Sequence, residues 1–228
     1  MTWPRSSGRA STRRPLSLDL IVDTALELLG RGNLASVSMR RVAQELGTGA
    51  ASLYAHVGNK DELHELMLDR LLGTIPLPAP DPARWCEQLK EVARAQHAVL
   101  TSYPGIARVG METTVPTGPN ALRHAEGILA LLRAGGLPDR LAALAFDALS
   151  LWSAAFAVEV SAAGSGEIDP ADLARRGEQI DAYVAERPTE FANLLSLGPT
   201  LGSTPPAERF EFGLDVFLAG LTTLADRA

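Results

Sequence analysis

Between Ser17 and Ala225 apolar side chains return every three or four residues, and almost no stretch shows the two-residue alternation of a half-buried strand. Leu18, Val22, Ala25 and Leu29 fall at i, i+4, i+7 and i+11, which draws one stripe along a helix. The same period predicts helices over residues 17–29, 39–46, 50–57, 61–72, 83–102, 105–112, 119–134, 138–162, 170–186, 189–197 and 206–225. A chain patterned this way has no sheet to build around, so the predicted fold class is all-α.

Start and stop residues punctuate the pattern. Ser17 and Ser38 are placed as hydroxyl caps, Thr48 can cap residues 50–57, and Gly30, Gly32 and Gly47 end the stretches before them. Pro138 and Pro206 sit in first turns, where a missing N–H costs nothing. Gly58-Asn59 reads as a turn, and residues 164–166 and 197–205 as loops. The run Ile75-Pro-Leu-Pro-Ala-Pro-Asp-Pro82 is a proline-punctuated connection and the expected domain boundary. The expected organisation is an arm over 1–16, a small helical domain over 17–73 and a larger one over 83–228.

Charge divides along the same line. The chain carries 21 Lys+Arg against 27 Asp+Glu, a net charge of -6, which taken whole argues against a partner rich in phosphate. Yet residues 1–60 hold eight cations and four acids, and everything acidic in excess lies beyond them. A basic module on an acidic body is the simplest reading. Cys86 is the one cysteine, so neither a disulfide framework nor a cysteine zinc site is available, and a reducing cytoplasm fits. Residues 1–16 are rich in Arg and Ser without the apolar core of a signal peptide. Leu141–Val160 is long and apolar, but Asp147 and Glu159 within it favour a buried helix of a water-soluble body over a membrane span.

Within the basic module one segment carries chemistry. From Ser38 to Val57 two short helices meet at Gly47, with the small Ala43 four residues before it and Leu53 as an apolar anchor back toward Val42 and Leu46. This spacing is what a helix-turn-helix needs, although short helical hairpins with glycine turns also occur as plain structure.

The string that follows, Leu53-Tyr-Ala-His-Val-Gly-Asn-Lys-Asp-Glu-Leu63, resembles the TetR family of bacterial repressors, and residues 17–68 match that family in order and spacing. The resemblance implies a dimer with an N-terminal three-helix operator-binding domain and a C-terminal helical domain for ligand binding and dimerisation. It places the 50–57 helix in the major groove of double-stranded DNA, where Gly49, Ala50, Ala51 and Ser52 offer apolar contact and one hydroxyl. Arg40 matches a guanine-reading position, with a phosphate clamp or a solvated cation as the other readings. Tyr54, His56 and Lys60 match phosphate contacts, which position without specifying sequence; Tyr54 can equally be a packing residue. Ser38 and Thr48 can donate to phosphate or simply cap. Arg9, Arg13 and Arg14 either reach the minor groove or form a solubilising tail.

In the larger domain the expected ligand residues are aromatic or polar groups on otherwise apolar faces: His97, Tyr103, Met111, His124, Trp152, Phe156 and Glu159. The resemblance to tetracycline repressors is loose here. Their metal-binding histidines fall at Leu71-Leu72 and Val109-Gly110, so magnesium–tetracycline is not the expected effector and neither metal nor cofactor is expected. The 138–162 and 206–225 helices, with Leu144, Leu151, Phe156, Phe210, Leu214, Phe217 and Leu221, are expected to pair with their symmetry mates as a four-helix bundle in a homodimer. No phosphate loop, dinucleotide fingerprint, His-Glu-x-x-His or Gly-x-Ser-x-Gly motif is present, so no enzyme is expected. The reading is a ligand-released repressor; the competing one is a helical small-molecule carrier or adaptor, which has no need of Arg40, Tyr54, His56 and Lys60 on one hairpin.

Overall fold

The computed structural model describes residues 15–113, 117–164, 169–225 and 227, and these contain helices and no strand. In chain order they are α1 (Leu18–Gly30), α2 (Met39–Glu45), α3 (Ala50–Leu53), α4 (Lys60–Leu72), α5 (Trp85–Ser102), α6 (Ile106–Glu112), α7 (Pro119–Ala134), α8 (Asp139–Gly164), α9 (Pro170–Ala185), α10 (Ala192–Ser203) and α11 (Pro206–Ala225). A 3-10 turn over Leu34–Ser36, for which the periodicity gives no signal, joins α1 to α2. The Arg9, Arg13 and Arg14 arm lies outside the described residues.

Local chemistry sets most of these bounds. Ser17 caps α1 through Leu20 N–H at 3.2 Å, and Ser38 caps α2 through Arg41 N–H at 3.2 Å. Asn59 accepts from Glu62 N–H at 2.8 Å while the Glu62 carboxylate accepts from Gly58 N–H at 2.7 Å. This reciprocal box starts α4 at Lys60, one residue before the expected Asp61.

Three expectations need correction. Thr48 does not cap α3: Gly49 stands at the cap position and no side chain bonds there. Thr48 instead donates its backbone N–H to Ala43 O at 2.9 Å, closing the turn that Gly47 opens at φ 63°. The third helix ends at Leu53, not at Val57, because Val57 and His56 N–H both fold back onto Leu53 O and leave 54–56 as a turn. Finally, the expected loop over 197–205 is mostly helix. Pro199 removes one N–H from α10 without ending it, and Thr204 closes the last turn on Thr200 O through both its N–H and its hydroxyl. The other expected loop, 164–166, begins inside α8 at Gly164; Ser165 and Gly166 lie outside the described residues.

Two buried clusters hold the chain. One joins α1 to α4 through Ile21, Leu29, Val42, Leu53, Leu63 and Met67. It also takes in Leu100, Ile106, Ala107 and Val109, so α6 and the end of α5 pack on the first four helices, across the proline-rich connection. The other joins α5, α7, α8 and α11 through Leu89, Val92, Leu131, Leu149, Phe156, Phe210 and Leu214. Thus Phe156, Phe210, Leu214 and Leu221 serve this chain's own interior, whereas Leu144 and Leu151 stand exposed.

α8 is long and apolar enough to cross a membrane by length and composition. In the fold it is the hub against which α5, α6, α7 and α11 pack, with Asp147 and Glu159 on its exposed side.

Candidate functional site

The first candidate is the helical hairpin α2–α3. Met39, Val42 and Ala43 turn inward from α2, and Leu53 and Val57 anchor α3 in the same core. Truncating Leu53, which is fully buried, should cost about 2–5 kcal/mol. With those residues inward, Arg40, Gly49, Ala51, Ser52, Tyr54, His56 and Lys60 are all exposed, and Thr48 and Ala50 are half-buried beside them. Tyr54 is 54% exposed, so about half of its surface is open to solvent on the same hairpin as Arg40 and His56.

Electrostatics reinforce the face by removing its counter-charges. Residues 1–60 hold four acids, and each is already paired: Glu27 and Glu45 with Arg31, Asp19 and Asp23 with Arg70 of α4. Among the described residues Arg40, Arg41 and Lys60 form no ion pair. Among the described residues up to Lys60, the cations in no ion pair are therefore Arg40, Arg41 and Lys60, around the α2–α3 hairpin.

The second candidate lies inside the larger helical body. His97, Trp152 and Phe156 come together with Phe210 in one aromatic cluster. His97 stacks on Phe210 at 4.2 Å between ring centroids, Trp152 also stacks on Phe210 at 4.9 Å, and Phe156 meets His97 edge-on at 5.5 Å. His124 of α7 is buried, with its Nε2 3.1 Å from Gln96 Oε1 on α5. Burial alone lowers its pKa to about 4, so the ring is neutral in the cell, and burial likewise lowers His97. The remaining expected residues stand apart. Tyr103 packs against the first core, Met111 is half exposed, and Glu159 is at the surface, where Arg209 grips it at 2.7 and 3.1 Å and draws its pKa down.

Several contributors were not visible in the sequence. Gln96, half-buried on α5, and Ser153, fully buried on α8, are polar groups that nothing in composition separates from other polar residues at helical spacing. Asp69 of α4 binds the start of α7, a contact across 51 residues of chain. Next to it, an open cleft of about 150 Å³ is lined by Glu62, Glu65, Leu66, Asp69, Thr117 and Gly118. It is smaller than ordinary ligand pockets and far from the aromatic cluster in chemistry. Among the described residues no three His, Cys, Asp or Glu side chains group to hold a metal, and Leu71 and Val109 are buried in the apolar core.

Comparison with known proteins bears on both candidates. Residues 21–67 match the family model of bacterial regulatory proteins of the tetR family, and residues 77–225 match that of the tetracyclin repressor-like C-terminal domain. The HTH-type transcriptional repressor DrrR1 of Streptomyces coeruleorubidus is 32% identical, over 96% of this chain and 83% of that one. The crystal structure of apo ActR from Streptomyces coelicolor superposes with a TM-score of 0.83 at 41% identity, covering 94% of this chain and 98% of that one. ActR in complex with actinorhodin gives 0.81 at 41% identity, covering 93% and 99%.

Proposed function

This chain belongs to the TetR family of bacterial regulatory proteins, and from that premise we propose how its two candidate sites work together. The protein is a ligand-responsive DNA-binding repressor. The observation that carries the reading is the exposed, unpaired set of Arg40, Tyr54, His56 and Lys60 around the α2–α3 hairpin. Residues 17–73 act as the DNA-binding domain and residues 83–228 as the effector and dimerisation domain. The Gly49–Ser52 end of α3 enters the major groove of operator DNA, Tyr54, His56 and Lys60 hold phosphates, and Arg40 reads a base. No catalytic role is assigned to any residue, and a carrier or adaptor would leave this face without a purpose.

The operator is near-palindromic and the protein binds it as a homodimer. Support comes from apolar surface that the chain leaves uncovered. Leu144 and Leu151 of α8 and Phe212 and Val216 of α11 are each more than half exposed, and α10 has no buried residue although it carries Leu194, Leu195, Leu197 and Leu201. Exposed large apolar side chains in such number mark surface that a partner covers. The effector enters among α5, α7 and α8, near His97, His124, Trp152 and Phe156, and it is not magnesium–tetracycline, since Leu71, Leu72, Val109 and Gly110 supply no metal donor. Its binding moves α4, which touches both cores, and changes the spacing of the two α3 helices. Such a regulator works in the bacterial cytoplasm, where its operator lies.

The test is a fluorescence-anisotropy titration with the DNA upstream of the protein's own gene. Specific, salt-dependent binding that Tyr54→Phe and Lys60→Ala weaken is the expected result. Equal affinity for unrelated DNA of the same length would reject the reading.

A further inference from the structure

Buried polar atoms in a folded interior find partners, so those that lack one point to a partner yet to arrive. Among the described residues five such side-chain atoms stand out: His64 Nε2, His97 Nδ1, His124 Nδ1, Ser153 Oγ and Ser161 Oγ. Two of them, His124 Nδ1 on α7 and Ser153 Oγ on α8, sit on helices that pack with each other and with α5. Gln96 meets His124 directly, and its neighbour His97 meets Phe156, which is one turn along α8 from Ser153. Ser153 is fully buried and His124 is 6% exposed.

The hydrogen-bond geometry fixes what is missing. Gln96 Oε1 only accepts, so His124 Nε2 must carry the ring proton to bond to it. That leaves Nδ1 as a bare lone pair facing inward, able to accept and unable to donate. A carbonyl or carboxylate offers it nothing; a hydroxyl does. Ser153 Oγ, one turn along α8 from Phe156 of the aromatic cluster, is a second buried hydroxyl without a partner and can donate or accept. Beside this polar station stand His97, Trp152, Phe156 and Phe210, whose ring-on-ring contacts an aromatic guest can replace with contacts of the same kind. Arg209 lies over the Phe156 ring at 5.2 Å with its charge paired to Glu159, while Arg94 and Lys90 of α5 pair with Glu211 and Asp215.

We propose that the effector is a planar aromatic molecule bearing a phenolic hydroxyl, that this hydroxyl donates to Nδ1 of His124, and that Gln96 sets the tautomer that receives it. The proposal rests on the reading of the body as an effector domain, and it names the chemistry that domain selects. The low pKa of His124 keeps the ring neutral, so the acceptor persists at every physiological pH. Gln96 is a positioning residue, since it acts only through the histidine.

The experiment uses the full-length protein and three probes: a hydroxyanthraquinone, its methyl ether and the parent anthraquinone. Binding is followed by quenching of tryptophan fluorescence, to which Trp152 contributes from within the cluster. The hydroxyl probe should bind at least tenfold more tightly than the ether or the parent, and His124→Phe should erase that preference while leaving operator binding unchanged. Nitrogen NMR of histidine-labelled protein supplies a readout that needs no variant: His124 should show a protonated Nε2 and a bare Nδ1, with the Nδ1 resonance moving when the hydroxyl probe binds. Equal affinities for the three probes, a preference that survives in His124→Phe, or a proton on Nδ1 overturns the proposal. Failure of all three probes to bind, with operator binding intact, overturns it too and leaves the repressor reading standing. Loss of specific operator binding with the hydroxyl preference intact overturns only the repressor reading.

Discussion

Asp69 of α4 and Asn120 of α7 form a latch between the helix that touches both cores and the helix that carries His124. One carboxylate oxygen accepts from the backbone N–H of Asn120 at 2.9 Å and of Ala121 at 2.8 Å, and the other accepts from the Asn120 side-chain amide at 2.9 Å. An anion here meets the positive end of α7 and satisfies N–H groups that α7 itself cannot. Gly118 has to lack a side chain, because a Cβ there would fall on the Asp69 carboxylate.

Asp69→Ala should therefore cost about 1–2 kcal/mol in urea denaturation, the usual worth of a cap with charge. The more telling effect is functional. Ligand-free operator affinity should change little, whereas the effector concentration needed to release DNA should shift, because α4 no longer reports on α7. Gly118→Ala should reproduce both effects from the other side. An unchanged release curve in both variants would show that the latch is structural only.

On the hairpin, the three phosphate candidates and the base reader should separate by salt and sequence. Lys60→Ala should weaken binding alike for every operator variant and reduce the slope of log K against log salt by about 0.9 per protomer of the dimer. Arg40→Ala should instead flatten discrimination at one base pair, by about 1–3 kcal/mol, with little change in salt slope. Competition binding with single-base operator variants checks both. A uniform loss in Arg40→Ala would make Arg40 a phosphate clamp.

How far the sequence could lead is clearest in these same residues. The helices, the Gly47 turn and the outward face from Arg40 to Lys60 were legible because period, caps and a short local motif encode them within twenty or so neighbouring residues. Thr48 was misplaced as a cap because Gly49 can adopt the cap geometry without a side-chain bond, a choice that turn closure onto Ala43 decides. α10 runs through most of the expected 197–205 loop because Pro199 removes only one bond from it. Phe210 looked like interface and proved to be interior, and Asp69, Gln96 and Ser153 gave no signal at all. Asp69 and Gln96 depend on partners 51 and 28 residues away, and Ser153 on its burial, all set by how the helices pack.

The exposed apolar faces lead to a prediction about assembly. Phe212 and Val216 are one turn apart on α11 and, at 69% and 56% exposed, contribute nothing to this chain's own core. Val216→Glu together with Leu151→Glu should leave helicity and thermal stability of the protomer nearly intact but halve the mass seen by sedimentation. Operator affinity should fall by orders of magnitude, since one protomer can fill only one half-site. A wild-type protein that already sediments as a monomer at the concentrations of operator binding would rule the homodimer out.

The buried histidines set a pH dependence with a definite sign. In the folded protein His124 titrates at about 4, against 6.5 when exposed, and burial lowers His64 and His97 as well. Below pH 6.5 the unfolded chain therefore binds protons that the folded chain refuses. The stability that neutral burial provides is fully present above pH 6.5 and is lost as pH falls from there toward 4. For His124 the loss is on the order of 3 kcal/mol across that window, with smaller losses in the same direction from the other two. Urea midpoints measured from pH 7.5 down to pH 4.5 should fall steadily in the wild type and more shallowly in His124→Phe, whose side chain has no proton to take up. Parallel curves for the two proteins would mean that His124 reaches solvent before it is protonated, and that the interior around Gln96 opens more easily than its packing implies.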